Sequence, residues 1–333
     1  MNLARLLYSF CIILLYLSVY STWAKAPKTS KIVFTSAGDV NREIYLMNPD
    51  GSEQINITNH PADDLHPTWS PTGEQILFVS DRMRGRDLYL MDANGESVKR
   101  VFRNHEHRQH PTWAPDGEQI AYERIEEDER FIYTATIDGN REELIGKGIE
   151  PAWSPEGTEL AFCRQDRIIL LNLRTGFERK LRPDGIAWQS NPAWAPTGNK
   201  LAFSWNLQPI EPPPGILPGE RFLVPDAWFD NETIFIVNRD GTELEQIVDE
   251  TGPEAIWPSW SPDGTKLIYN QQVRGYFQLF KINLVNHIIE QLTHTERAPQ
   301  ANTLADWFDP AYALPISPQP HLLTTIWGKI KKQ

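Results

Sequence analysis

His66, His110 and Glu150 share one address. Each stands three positions before a tryptophan, and those tryptophans, Trp69, Trp113 and Trp153, fall in successive copies of one repeat. Two imidazoles and a carboxylate suit zinc or another first-row divalent cation. Three more copies put Asn191, Trp257 and Leu304 at the same place before Trp194, Trp260 and Trp307, so only half of the set offers strong ligands. The expectation is that these side chains hydrogen-bond to loops and channel water without a cofactor. A divalent metal on His66, His110 and Glu150 is the alternative.

The stretch His105-Glu106-His107-Arg108-Gln109-His110 has the composition of a zinc-protease motif. That motif needs a second histidine four residues after the first, on a helix, and position 109 is Gln in an approach to a strand. His107 and Asp64 therefore join the candidate binding residues as polar groups of loops, with Asp63, His294 and Glu296 in matching loops. No Gly-x-Ser-x-Gly elbow and no phosphate-binding glycine loop occurs. The acyl-transfer and phosphate chemistry those motifs support is not indicated.

What positions these residues is the repeat itself. Residues 69–78 read Trp-Ser-Pro-Thr-Gly-Glu-Gln-Ile-Leu-Phe, and close copies begin at Trp113, Trp153, Trp194 and Trp260. The five tryptophans are 44, 40, 41 and 66 residues apart, a period typical of propeller blades. Each copy has Pro where a type I turn wants a fixed φ, and Gly where the chain needs a positive one. Alternating polar and apolar residues follow, as in a half-buried strand. Six runs such as 43–47 (Glu-Ile-Tyr-Leu-Met) supply third strands, and short segments such as 53–58 supply fourth ones. Six repeats of four antiparallel strands predict an all-β, six-bladed propeller over residues 31–310.

The ends agree with that count. The chain enters at 31–36 with a second strand that has no tryptophan strand before it, and leaves at 305–310 with a first strand that has no second. The two halves should share one blade, closing the ring and removing a sheet edge. Trp69, Trp113, Trp153, Trp194, Trp260 and Trp307 are then expected to pack between neighbouring blades.

The pattern P-x-W-S-P-D-G, then I-A-F, then I-Y-x-M-N-x-D-G, resembles the WD40-like repeat of the TolB periplasmic propeller family. The resemblance covers about residues 31–310. It departs in that TolB carries an α/β domain before its propeller, whereas about 30 residues precede the first strand here; a propeller-only relative is expected. TolB-type propellers bind envelope proteins, so the resemblance implies a non-catalytic scaffold for a protein or peptide partner. Oligogalacturonate lyases carry a metal in a related propeller through several channel histidines. That is the implied enzyme alternative, with fewer histidines here and six blades instead of seven.

Residues 1–26 read as a signal peptide: Arg5, an apolar run over 6–20, then Ala24-Lys25-Ala26. The segment holds two basic residues and no acid, so its removal takes the net charge from −12 to −14. Such a chain should repel nucleic acid and anionic membrane surfaces. Cys11 lies in the signal, leaving Cys163 without a disulfide partner. A proline-rich insert at 206–231 carries Phe222, Trp228 and Phe229, a candidate partner-binding flap or a cover for its own blade. Residues 314–333 read as a loosely docked tail with a basic ending. The reading is of an exported monomer, periplasmic or secreted, with a partner in the cell envelope and no membrane contact after signal cleavage.

Overall fold

The computed structural model describes residues 25–38, 40–181, 188–206, 231–249, 253–295 and 301–314. Its elements are all strands, arranged as six four-stranded antiparallel sheets. Blade one joins the last strand of the chain to the first three, in the order Asn302–Phe308, Lys31–Ala37, Arg42–Met47, Ile55–Asn56. Ile32 pairs with Trp307 and Lys31 with Phe308, so the ring closes as the sequence implied. Blades two to six begin with Asp64–Trp69, His107–Trp113, Ile149–Trp153, Gln189–Trp194 and Ala255–Trp260.

The turn after each tryptophan is built by the residues that mark the repeat. Gly73, Gly117, Gly157, Gly198 and Gly264 each donate their amide to the carbonyl three residues earlier, at 2.8–3.0 Å. All five have φ near 70°, which glycine reaches without a Cβ clash. At Gly73 the need is absolute, because a Cβ would lie 2.1 Å from the Phe308 ring of blade one.

Apolar side chains gather at the blade boundaries. Among the described residues they form six clusters, one between each pair of neighbours, including one between blade six and blade one around Phe34, Ile268 and Leu279. Each blade thus buries its faces only against its neighbours, as stacked repeats do. Trp69, Trp113, Trp194 and Trp260 are buried here, each contributing up to about 4–6 kcal/mol. The indole N–H groups of Trp113, Trp194 and Trp260 reach the carbonyls of Thr68, Ala152 and Ala193 in the blade before, at 3.1–3.3 Å. Trp153 and Trp307 depart from full burial. They are half-buried and pack at the edges of the two smallest clusters, between blades three and four and between blades six and one.

In the second blade Asp64 pairs with Ser80, which pairs with Asp87. The loops between blades and the connections between second and third strands therefore share one end of the ring. At that end Asn206 and Glu232, which flank the insert in sequence, pair directly in blade five. Phe222, Trp228 and Phe229 lie outside the described residues, as do Glu296 and residues 1–24 and 315–333. No helix among the described residues is long and apolar enough to cross a membrane.

Candidate functional site

Every first strand carries a β-bulge at the same place. The register with the second strand slips across residues 66–67, 110–111, 150–151, 191–192 and 257–258, and in blade one the bulge falls at 304–305. The first residue of each bulge is His66, His110, Glu150, Asn191, Trp257 or Leu304, and all six have φ between 48° and 54°. A left-handed non-glycine residue costs about 1–3 kcal/mol. Five of the six precede proline, which disfavours the right-handed helical region at that position and contributes no N–H to the ladder.

The bulge releases an amide from the ladder, and the preceding blade catches it. His66 N–H donates to Thr35 Oγ1 at 3.1 Å, Trp257 N–H to Ser204 Oγ at 3.2 Å, and Leu304 N–H to Asn270 Oδ1 at 3.1 Å. Thr35, Ser204 and Asn270 occupy equivalent places, just after the aromatic residue of a second strand. In blades two and four that place holds Val79 and Cys163, and the preceding bulge side chain accepts instead. His110 N–H donates to His66 Nδ1 at 3.4 Å, and Asn191 N–H to Glu150 Oε2 at 2.8 Å. Sequence reasoning missed these latches. Their signal was the one irregular position after each second-strand aromatic.

All six bulge residues line one central cavity of about 430 Å3. His66 and His110 stack, ring centroids 4.2 Å apart and planes inclined by 19°. His110 Nδ1 donates to the buried carboxylate of Glu123 at 3.1 Å, and Gln109 and Arg130 hold the other oxygen. Burial alone would raise the Glu123 carboxyl, but those bonds keep it below its usual range. Burial, helped by the guanidinium charges of Arg86 and Arg42, pushes His66 well below the ordinary imidazole value, so His66 is neutral at physiological pH. In the adjacent sector Glu150 also accepts from Cys163 Sγ at 3.7 Å. Glu232, bonded by Ser190, is raised by burial and by the carboxylates of Glu254 and Glu150 to about 7.

The structure thus brings His66 and His110 together and turns Glu150 toward blade five. Among the described residues, no three His, Cys, Asp or Glu side chains are grouped to hold a metal ion, so His66, His110 and Glu150 do not fit a divalent cation as a set. Asp64 stands apart from the cavity, fully buried and paired with Arg82 at 2.7 Å. His107 is exposed at the start of its strand, outside the cavity lining. Trp257 packs against Phe277 at 5.5 Å and stands across the six-blade ring from His110.

Residues 19–150 match the family model of the TolB beta propeller domain. No curated protein matches the chain in sequence. Among solved structures, TolB from Acinetobacter baumannii superposes over 88% of this chain and 69% of its own, at TM-score 0.68 and 16% identity. A putative TolB from Agrobacterium tumefaciens covers 80% of this chain and 90% of its own, at TM-score 0.59 and 20% identity. An oligogalacturonate lyase in complex with manganese covers 80% of this chain and 75% of its own, at TM-score 0.53 and 15% identity. At such identities the likeness is one of fold.

Proposed function

From a chain that carries TolB-type propeller repeats, we propose an exported, non-catalytic propeller that binds a protein or peptide at the bulge-lined end of its channel. The observation that carries this reading is the ring of six fixed bulges. It presents six side chains of five kinds around one cavity, and five of the bulge amides are held by the preceding blade. Side chains with chemistry of their own are tied into that scaffold: His66 and Glu150 accept amides of the next blade, and His110 is bound to Glu123. Rigid presentation of varied groups is what recognition requires. TolB structures and a nidogen/laminin complex, at TM-score 0.62 and 10% identity over 86% of this chain and 98% of the matched one, share the fold.

The partner belongs to the cell envelope, and the protein works there as a monomer, periplasmic or secreted. A net charge of −12 repels nucleic acid and anionic lipid. The insert at 206–231, with Phe222, Trp228 and Phe229, extends the contact surface on the same end. Co-purification from the native envelope fraction tests the reading. Wild type should retain a discrete partner that Trp257→Ala and deletion of residues 209–226 each weaken, with unchanged thermal unfolding. Equal recovery with all three proteins would defeat it.

The metal-dependent enzyme remains the second reading, because manganese-bound oligogalacturonate lyase shares the fold and His66 and His110 are adjacent. Elemental analysis of the purified protein decides it. Stoichiometric metal that is lost in His110→Ala would favour the enzyme; substoichiometric metal, unchanged by the variant, would remove it.

A further inference from the structure

The two stacked imidazoles are not equivalent. His66 Nδ1 accepts the His110 amide, so the proton of neutral His66 sits on Nε2. His110 Nδ1 donates to the Glu123 carboxylate, which leaves the lone pair of a neutral His110 on Nε2. Among the described residues neither Nε2 has a protein partner, and both rings line the cavity. One donor and one acceptor therefore stand side by side at the mouth, on parallel rings 4.2 Å apart.

We propose that the His66–His110 pair reads a carboxamide, His66 Nε2–H donating to its carbonyl oxygen and His110 Nε2 accepting from its N–H. This rests on the peptide-binding reading of the channel mouth and gives that mouth a chemical preference. A carboxamide carries its acceptor and its donor on two atoms bonded to one carbon, so it can face both rings at once where a single hydroxyl oxygen is a point. A carboxylate brings two acceptors and faces the His110 lone pair; an ammonium brings only donors and faces the His66 N–H. Either mismatch leaves a buried polar group unpaired. Trp257, across the ring from His110, supplies an apolar wall for the stem of such a side chain. The group is the side chain of Gln or Asn, because a main-chain amide is trans and points its C=O and N–H to opposite sides.

Nitrogen-15 NMR of histidine-labelled protein at neutral pH reads the tautomers without any variant. His66 should carry its proton on Nε2 and His110 on Nδ1; the reverse assignment for either ring, or a doubly protonated His110, overturns the proposal. Binding is then measured with blocked pentapeptides that differ only in a central Gln, Glu or Met. A side-chain reader binds the Gln peptide at least about tenfold more tightly than the Glu peptide, since an unpaired buried group costs about 1–3 kcal/mol. The Met peptide, similar in length but without the amide, should also bind more weakly than the Gln peptide. His110→Phe keeps the stack and removes the acceptor, so it should erase the preference while the protein stays folded. With the side-chain carboxamide as the ligand, equal binding of Gln and Glu peptides, or assigned tautomers with no peptide bound, overturns the inference. Envelope co-purification would then still decide the broader reading separately.

Discussion

Two sectors of the same channel mouth handle charge in opposite ways. On blades one to three, Arg42 and Arg86 bear on His66, and burial with these like charges holds its imidazole neutral. On blades four to six, Glu150 and Glu254 bear on Glu232, and burial with these like charges raises its carboxyl to about 7. One sector suppresses a cation and the other suppresses an anion. Burial works against charge in both sectors, on an imidazole in one and on a carboxyl in the other. The sectors also share a device, since His66 and Glu150 each replace a missing acceptor, at Val79 and Cys163, for the amide of the next blade.

The comparison can be broken at several points. The largest effect belongs to Glu232. Its folded carboxyl holds a proton to about 7 against 4.5 for the free group, so the folded state binds more protons between those values and stability falls as pH rises through them. Glu232→Gln should remove that dependence and stabilise the protein at pH 8 by about 3 kcal/mol; flat wild-type melting between pH 5 and pH 8 would contradict the assignment. Next comes Glu150→Ala, which strands the Asn191 amide and should cost about 1–3 kcal/mol in chemical denaturation. No loss would mean that the amide finds another acceptor. Smaller still is Val79→Thr, which gives blade two its own acceptor. It should change stability by under about 1 kcal/mol while His66 loses its single tautomer, visible by NMR. Arg86→Ala should leave unfolding unchanged and move the His66 titration part of the way back toward ordinary imidazole.

The architecture was legible because its turns have strict needs. Proline and glycine after each tryptophan repeat the same turn, and the orphan strands at 31–36 and 305–310 announce their pairing. The place of the site was legible too, three residues before each tryptophan. Its conformation was not. A left-handed bulge at His, Glu, Asn, Trp or Leu has no compositional mark beyond the proline that follows five of them. Nor were the latches legible, because the acceptor alternates between a second-strand residue and a bulge side chain, and only spatial neighbourhood shows which one serves. The burial of Asp64 beneath Arg82 was hidden for the same reason: a charged residue beside a loop reads as exposed until its partner is placed.

The pairing of Lys31–Ala37 with Asn302–Phe308 also sets a clock. Ribosomes deliver the N-terminal segment first, yet its inner, channel-side ladder stays empty until residues near the opposite terminus arrive. Five and three-quarter blades must wait, collapsed but unsealed, for one final segment of seven residues. A chain interrupted before that segment would keep an adhesive flank, so proteolytic surveillance has a simple cue for telling unfinished molecules from finished ones.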